Sequence, residues 1–204
     1  MKIIAIISQK GGSGKTTVAV HLAVCAERAG QVAAIIDLDP QGSAFEWSSR
    51  RVAGSPEVIC ATSDQLAVLL VQAKANGADF AIIDTAPHSD KAATVVAGLA
   101  DMILIPCRPA AFDVAAIPTT LDILKLSKAK DKAFILLNAV PPQGRTGNEA
   151  TEGLATFANV SPVRLVHRAA YFHAVNDGRS VQEFEPNGKA AEEIQALYQW
   201  IIKS

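Results

Sequence analysis

The chain has 204 residues, half of them apolar and only 5% aromatic, with a formal net charge of −1. That length suits one large domain able to bury roughly 70% of its unfolded surface without disulfides. The near-zero charge excludes a global positive field for nucleic acid or acidic membranes, so any such contact must come from a local patch or an assembled oligomer.

In chain order, apolar runs of strand length alternate with longer periodic segments. KIIAIIS (2–8) predicts a strand, and the segment from Lys15 to about Ala29 a helix closed by Gly30. VAAIID (32–37) predicts a strand, about 43–52 a short helix, EVICA (57–61) a strand and QLAVLLVQAKA (65–75) a helix. FAIIDTA (80–86) predicts a strand, 90–100 a helix, MILIPC (102–107) a strand, and about 113–128 a helix bent at Pro118. AFILLNAV (133–140) and VRLVHR (163–168) are expected strands, separated by a polar loop at 141–148 and a helix at about 148–158; the last helix covers about 189–202. The strands are continuous apolar runs rather than alternations, which implies burial on both faces and a mostly parallel sheet flanked by helices. The expected architecture is therefore α/β, a single doubly wound domain over 1–204 with about seven strands. In such sheets, ligands bind beyond the carboxyl ends of the strands.

The three cysteines, Cys25, Cys60 and Cys107, are widely spaced in apolar stretches and match no zinc or redox pattern. They are expected to be buried, reduced thiols. The N-terminal apolar run is too short for a signal peptide and no stretch is long enough to span a membrane. Together these features point to a cytoplasmic location.

Two lysines bracket the glycine cluster in SQKGGSGKTT, Ser8 to Thr17. After a strand, Gly11, Gly12, Ser13 and Gly14 let the backbone wrap an anion, with N–H groups directed inward and the next helix adding its positive end. Lys15 is placed to reach β- and γ-phosphates, and Thr16 to hold Mg²⁺. Thr17 completes the loop. The usual first glycine of a phosphate loop is replaced by Gln9, and Lys10 follows it. The second strand ends in IIDLDPQGSA, which sets Asp37 and Asp39 two residues apart and so on one face of an extended segment; a helix-capping role is the structural alternative. The fourth strand ends in IIDTAPHSD, which places Asp84 where a carboxylate can serve Mg²⁺. His88, in the same loop, reads as a structural or contact residue. Asn138 closes ILLNAVPP, either against a base or as a turn former.

KGGSGKTT resembles the deviant phosphate loop of the ParA/MinD family of P-loop ATPases, and DLDPQ resembles that family's first switch. The resemblance implies ATP and Mg²⁺ as cofactors, with Lys10 reaching across an ATP-dependent homodimer to the partner's phosphates. It further implies that Asp39 orients the attacking water, that Asp37 organises the metal's surroundings, that Asp84 acts with the metal, and that Asn138 reads adenine. It implies a small ParA-type protein for DNA partition or cargo positioning: nonspecific DNA binding, nucleoid association, and slow, dimer-dependent hydrolysis stimulated by a ParB-like or other cargo-bound partner. Candidate DNA contacts are Arg164, Arg168, Arg179, Lys189, Lys203 and the run Lys125 to Lys132. Because the chain starts at its first strand, no operator-reading N-terminal domain is expected.

Three other readings use related folds. A MinD-like membrane binder is disfavoured by the last helix, whose charges are nearly balanced; its stripe Ile194, Leu197, Tyr198 and Ile201 is expected to face the core, and no membrane partner is expected. A metabolic ligase of the dethiobiotin synthetase kind would need a second substrate pocket. An electron-transfer ATPase like the nitrogenase iron protein would need a thiol partner for Cys107.

Overall fold

The structure is a computed structural model covering residues 1–204. Its elements are β1 (Lys2–Ile6), α1 (Lys15–Arg28), β2 (Ala33–Asp37), α2 (Ser43–Ser49), β3 (Glu57–Cys60), α3 (Leu66–Ala75), β4 (Phe80–Asp84), α4 (Asp90–Leu99), β5 (Met102–Cys107), α5 (Ala111–Val114), α6 (Ile117–Leu126), β6 (Ala133–Leu137), α7 (Thr146–Ala155), β7 (Asn159–Val160), α8 (Ala169–Asn176), α9 (Val181–Phe184) and α10 (Lys189–Lys203). Seven parallel strands form one sheet in the order β3-β2-β4-β1-β5-β6-β7. From the central β1 the chain runs out to β2 and β3, returns to place β4 between β2 and β1, and then continues outward on the other side through β5, β6 and β7. The turns after β1, β2 and β4 therefore meet above the same sheet edge, where an open α/β sheet offers its ligand crevice.

Alternation along each strand divides the core in two. Ile4, Ile6, Ile35, Ile82, Leu104 and Leu136 pack against α1 and α10 in a cluster of 28 buried residues. Ala5, Ile7, Ile36, Ile83, Ile103 and Ile135 pack against α3, α4 and α6 in a second cluster of 25. Every residue of β2, β4 and β5 is buried, as continuous apolar runs require. The stripe Ile194, Leu197, Tyr198 and Ile201 on α10 is buried in the first cluster, as its helical spacing indicates.

Several boundaries depart from the sequence reading. The segment 163–168 is not a strand. Ser161-Pro162 ends β7 after two residues, because proline has no N–H for the ladder. Beyond it the chain runs extended past the end of β6, bonded to it and to the residues that follow it through Leu165 N–H to the Leu137 carbonyl, Val140 N–H to the Leu165 carbonyl and His167 N–H to the Val140 carbonyl, which form a single isolated Val140–Val166 bridge. The helix expected over 113–128 is two helices, and Pro118 stands in the first turn of α6 rather than at a bend inside it, a position proline tolerates well. β3 lies at the sheet edge, so its four residues are half-buried or exposed and Cys60 is exposed, contrary to the expectation of three buried thiols. Cys25 and Cys107 are buried, and burial pushes their thiols up to about 11 and about 12. Helices α8 and α9 had no counterpart in the sequence reading. α9 begins with a capping box from Ser180 and Glu183, a pattern visible as S-x-x-E in the chain.

Candidate nucleotide site

The loop from Ser8 to Gly14 leaves β1 and enters α1 through backbone that only glycine adopts easily. Gly12 has φ 70° and Gly14 φ 94°. At Gly14 a second constraint applies: a Cβ there would stand 2.1 Å from Asn138 Nδ2. Asn138 uses that amide to donate to the Ser13 carbonyl at 2.7 Å, while its Oδ1 accepts the Ala139 N–H at 2.9 Å. The turn after β6 is thus fastened directly to the glycine loop.

Lys15 opens α1, is buried, and has its pKa lowered chiefly by that burial, against the opposing charges of Asp84 and Asp39. Thr16 donates its hydroxyl to Asp84 Oδ2 at 2.6 Å. Asp84 is fully buried at the end of β4; burial, ahead of all other causes, raises its carboxyl to about 7. Its Oδ1 has no hydrogen-bond partner in the chain. An orphaned carboxylate oxygen beside a threonine hydroxyl is the hard oxygen set a magnesium ion takes, and a divalent charge there would offset the cost of burying the anion. The residues fit the ion.

Asp37 is buried, and both its oxygens are engaged. Oδ1 accepts the Asp39 N–H at 3.0 Å; Oδ2 accepts those of Ala44 at 3.0 Å and Phe45 at 3.3 Å. It therefore supports the start of α2, the helix-supporting role considered above as the structural alternative, and shapes the loop that carries Asp39. Burial still raises its pKa, with the backbone amides opposing. Asp39 is half-buried and accepts the Gln41 N–H at 2.9 Å through Oδ1. Lys10 is half-buried, its N–H donating to Ser8 Oγ at 3.3 Å, and its ammonium joins none of the seven ion pairs in the chain.

Lys15, Thr16, Asp39 and Asn138 border one continuous cleft with two characters, whose lining does not include Lys10, Asp37 or Asp84. The polar part, about 420 Å³, is lined by the loop glycines, Lys15, Thr16 and Asp39. The adjoining part, about 430 Å³, shares Gly12, Gly14 and Thr17 and continues along Asn138, Val166, Tyr171 and Phe172. A phosphate chain suits the first and a flat base the second. Another cavity of about 380 Å³ between α3 and the β2/β3 edge shares no residue with the phosphate loop.

Sequence reasoning named the phosphate half of this cleft but not the wall formed by Val166, Arg168, Tyr171 and Phe172. The available signal for the rest was AAYFHAV, where Ala170, Tyr171, Ala174 and Val175 share a helix face before the left-handed Gly178.

The basic residues do not gather into one surface. Arg168 is paired with Glu193, Arg179 with Asp177 and Lys125 with Asp122. Arg164 donates to Asn148 at 2.8 Å. Lys189 lies in the first turn of α10. The run ending in Lys132 leads into the start of β6, and Lys203 ends α10 beside the start of β1. The candidates therefore divide between the crevice edge and the opposite edge of the sheet.

Residues 4–179 match the family model of the CobQ/CobB/MinD/ParA nucleotide binding domain, and the chain belongs to that family. The Maintenance of carboxysome distribution protein A of Halothiobacillus neapolitanus is 30% identical over 98% of this chain and 96% of its own length. The protein of the same name from Gloeobacter kilaueensis is 32% identical, with 99% and 93% covered. Among solved structures, a Cyanothece McdA–ATP complex aligns with a TM-score of 0.77 at 20% identity, covering 100% of this chain and 96% of that one. The MinD cell division protein of Aquifex aeolicus gives 0.82 at 14% identity, covering 100% and 98%. The chain is thus a ParA-type P-loop ATPase by family, with the doubly wound fold of the MinD and McdA structures.

Proposed function

We propose that this chain is a slow, dimer-dependent positioning ATPase that binds DNA without sequence preference and releases it on hydrolysis. The observation that carries this reading is the second lysine. Lys10 opens the glycine loop, half-buried and with no acidic partner of its own, while Lys15 is buried near the carboxylates of Asp84 and Asp39. A cation without an internal partner is available to a second subunit, and supplying it in trans ties hydrolysis to dimerisation. Such cations are worth about 10³–10⁵ in rate in related phosphoryl transfers.

In this reading the loop N–H groups and Lys15 bind the phosphates of ATP, and Asn138 with the apolar wall receives adenine. Thr16 and Asp84 hold Mg²⁺, and Asp37 acts by shaping the loop. When bound, the ion neutralises charge on the β- and γ-phosphates. Asp39 orients the attacking water, which needs a positioned acceptor more than a strong base. The carboxysome-distribution relatives point to a protein assembly as one class of cargo; a plasmid or chromosome region is the other. The activating partner is a ParB-like or other cargo-bound protein, and the working site is the nucleoid. No helix is long and apolar enough to cross a membrane.

The test is anisotropy of a random labelled duplex with ATP, ADP or no nucleotide at two salt concentrations. ATP-dependent binding that weakens steeply with salt is expected. ATP binding without DNA binding in any state would overturn the DNA part of the reading.

A further inference from the structure

One carboxylate holds three parts of the apolar wall at once. Glu193 lies in the first half of α10, and its side chain is 14% exposed. Oε1 accepts from Arg168 Nε at 2.8 Å and Nη2 at 2.7 Å. Oε2 accepts the Val166 N–H at 3.0 Å and the Tyr171 hydroxyl at 3.1 Å. Val166, Arg168 and Tyr171 all line the base side of the cleft; Glu193 itself does not. On the β6 side the 163–168 segment is held by the backbone bonds of Leu165 and His167; on its other side no strand follows, and Glu193 takes the Val166 N–H that faces that way.

The bonds are of the strong kind, because the acceptor is charged. Removing it leaves a guanidinium and an amide without their acceptor in a half-buried place, and the Tyr171 hydroxyl with only the Ala190 carbonyl at 3.3 Å, which costs more than the bonds contribute when made. Tyr171 also sets its ring edge against His21 of α1, centroids 5.2 Å apart. The wall that Glu193 holds is thereby packed against the helix that leaves the phosphate loop.

We propose that Glu193 is the positioning residue for the nucleotide base: it fixes the wall of Val166, Arg168 and Tyr171 without touching the ligand, and so sets affinity for the base and discrimination between bases, while the phosphates are held independently by residues 11–17. This rests on the nucleotide reading above.

The test is calorimetric titration of the full chain with ATP, GTP and inorganic tripolyphosphate, all with Mg²⁺. Glu193→Ala should weaken ATP at least about tenfold, the loss expected from one to two charge-assisted hydrogen bonds, leave tripolyphosphate within about twofold, and narrow the preference between ATP and GTP. Glu193→Gln keeps acceptors for Val166 and Tyr171 but loses the ion pair, and should fall between wild type and Glu193→Ala. Tyr171→Phe, which removes one of the three anchors, should cost a few-fold on ATP alone, and with Glu193→Gln it carries the comparison if Glu193→Ala does not fold. Equal loss for ATP and tripolyphosphate, or loss for neither, overturns the proposal. Wild type that binds ATP no better than tripolyphosphate overturns it too, while leaving the phosphate loop intact; wild type that binds neither overturns the nucleotide reading itself.

Discussion

Thr16 and Asp84 are 68 residues apart in the chain and 2.6 Å apart in the fold. The parallel pairing of β1 with β4, Ile6 opposite Asp84, brings the strand carrying the phosphate loop beside the strand carrying the carboxylate. The pair costs stability while no cation is present, because burial disfavours the Asp84 carboxylate and one of its oxygens has no partner. Asp84→Asn should therefore raise the melting temperature of the nucleotide-free protein while removing the further rise that Mg²⁺ and ATP give to wild type. Thermal denaturation with and without both ligands checks this. A fall in the nucleotide-free melting temperature would show that the buried charge is compensated within the chain.

Three substitutions separate the roles in the phosphate cleft. Lys15→Ala should weaken ATP binding by two orders of magnitude or more, on the order of 3 kcal/mol. Lys10→Ala should keep ATP binding but lose the rise of specific ATPase rate with protein concentration. Asp39→Ala should bind ATP and remain dimeric without turnover. Equilibrium binding, light scattering and phosphate release read the three effects apart. Wild-type hydrolysis by Lys10→Ala would remove the cross-subunit role.

Arg51 has a side chain 4% exposed and pairs with Glu183 through two bonds of 2.9 and 3.0 Å. It also donates to the Gly178 carbonyl and lies over the Trp47 ring at 4.6 Å. This fastens the chain after α2 to the turn before α9, and Glu183 has its pKa lowered by these bonds despite its burial. Arg51→Ala should cost about 3–5 kcal/mol, since it strands a partly buried carboxylate. Arg51→Lys should recover only part of this, because an ammonium cannot reproduce the fork. Urea denaturation measures both; a loss under about 1 kcal/mol for Arg51→Ala would mean that Glu183 is solvated once alone.

His21 is fully buried, and burial lowers its pKa to about 3. Its Nδ1 accepts the Val181 N–H at 3.2 Å, so it folds as the neutral ring. The unfolded chain binds a proton near pH 6.5, the native protein only near pH 3. The stability this ring contributes is full above pH 6.5 and is lost as pH falls from there toward 3, at up to about 1.4 kcal/mol per pH unit. His21→Gln should flatten the stability profile between pH 6 and 4. An unchanged slope in chemical denaturation across that range would assign the acid sensitivity to other groups.

Much of the site was legible because its parts are local. The glycine loop, Lys10, Lys15 and Thr16 form one continuous stretch, and Asp37, Asp39 and Asp84 each close an apolar run. The strand order was not legible in any single segment, yet the carboxyl ends of β1, β2 and β4 still converge, as parallel winding demands. What escaped was the base-side wall. Its backbone lacks a regular ladder, and its position is dictated by Glu193 from a helix 25 residues further on. The reading of 163–168 as a strand was met by a single bridge: apolar periodicity reports burial, and here the chain bonds to the end of β6 through Leu165 and His167 on one side while the Val166 N–H on the other meets the Glu193 side chain rather than a strand. Cys60 was misplaced because sequence does not reveal which strand ends the sheet.

The far edge of the sheet carries its own electrostatic arrangement. Lys132 donates to the carbonyl of Ala100, which ends α4, and Lys2 to that of Ile201 in the last turn of α10. Both ammonium groups sit where helix dipoles are negative and carbonyls lack partners. These lysines are therefore bound to the fold's own backbone and are not free to exchange counterions with a polyanion. Neutralising them, as acylation does, should first appear as fraying of two helix ends, in amide exchange at Ala100 and near Ile201, while exchange around the nucleotide cleft on the opposite edge is unchanged.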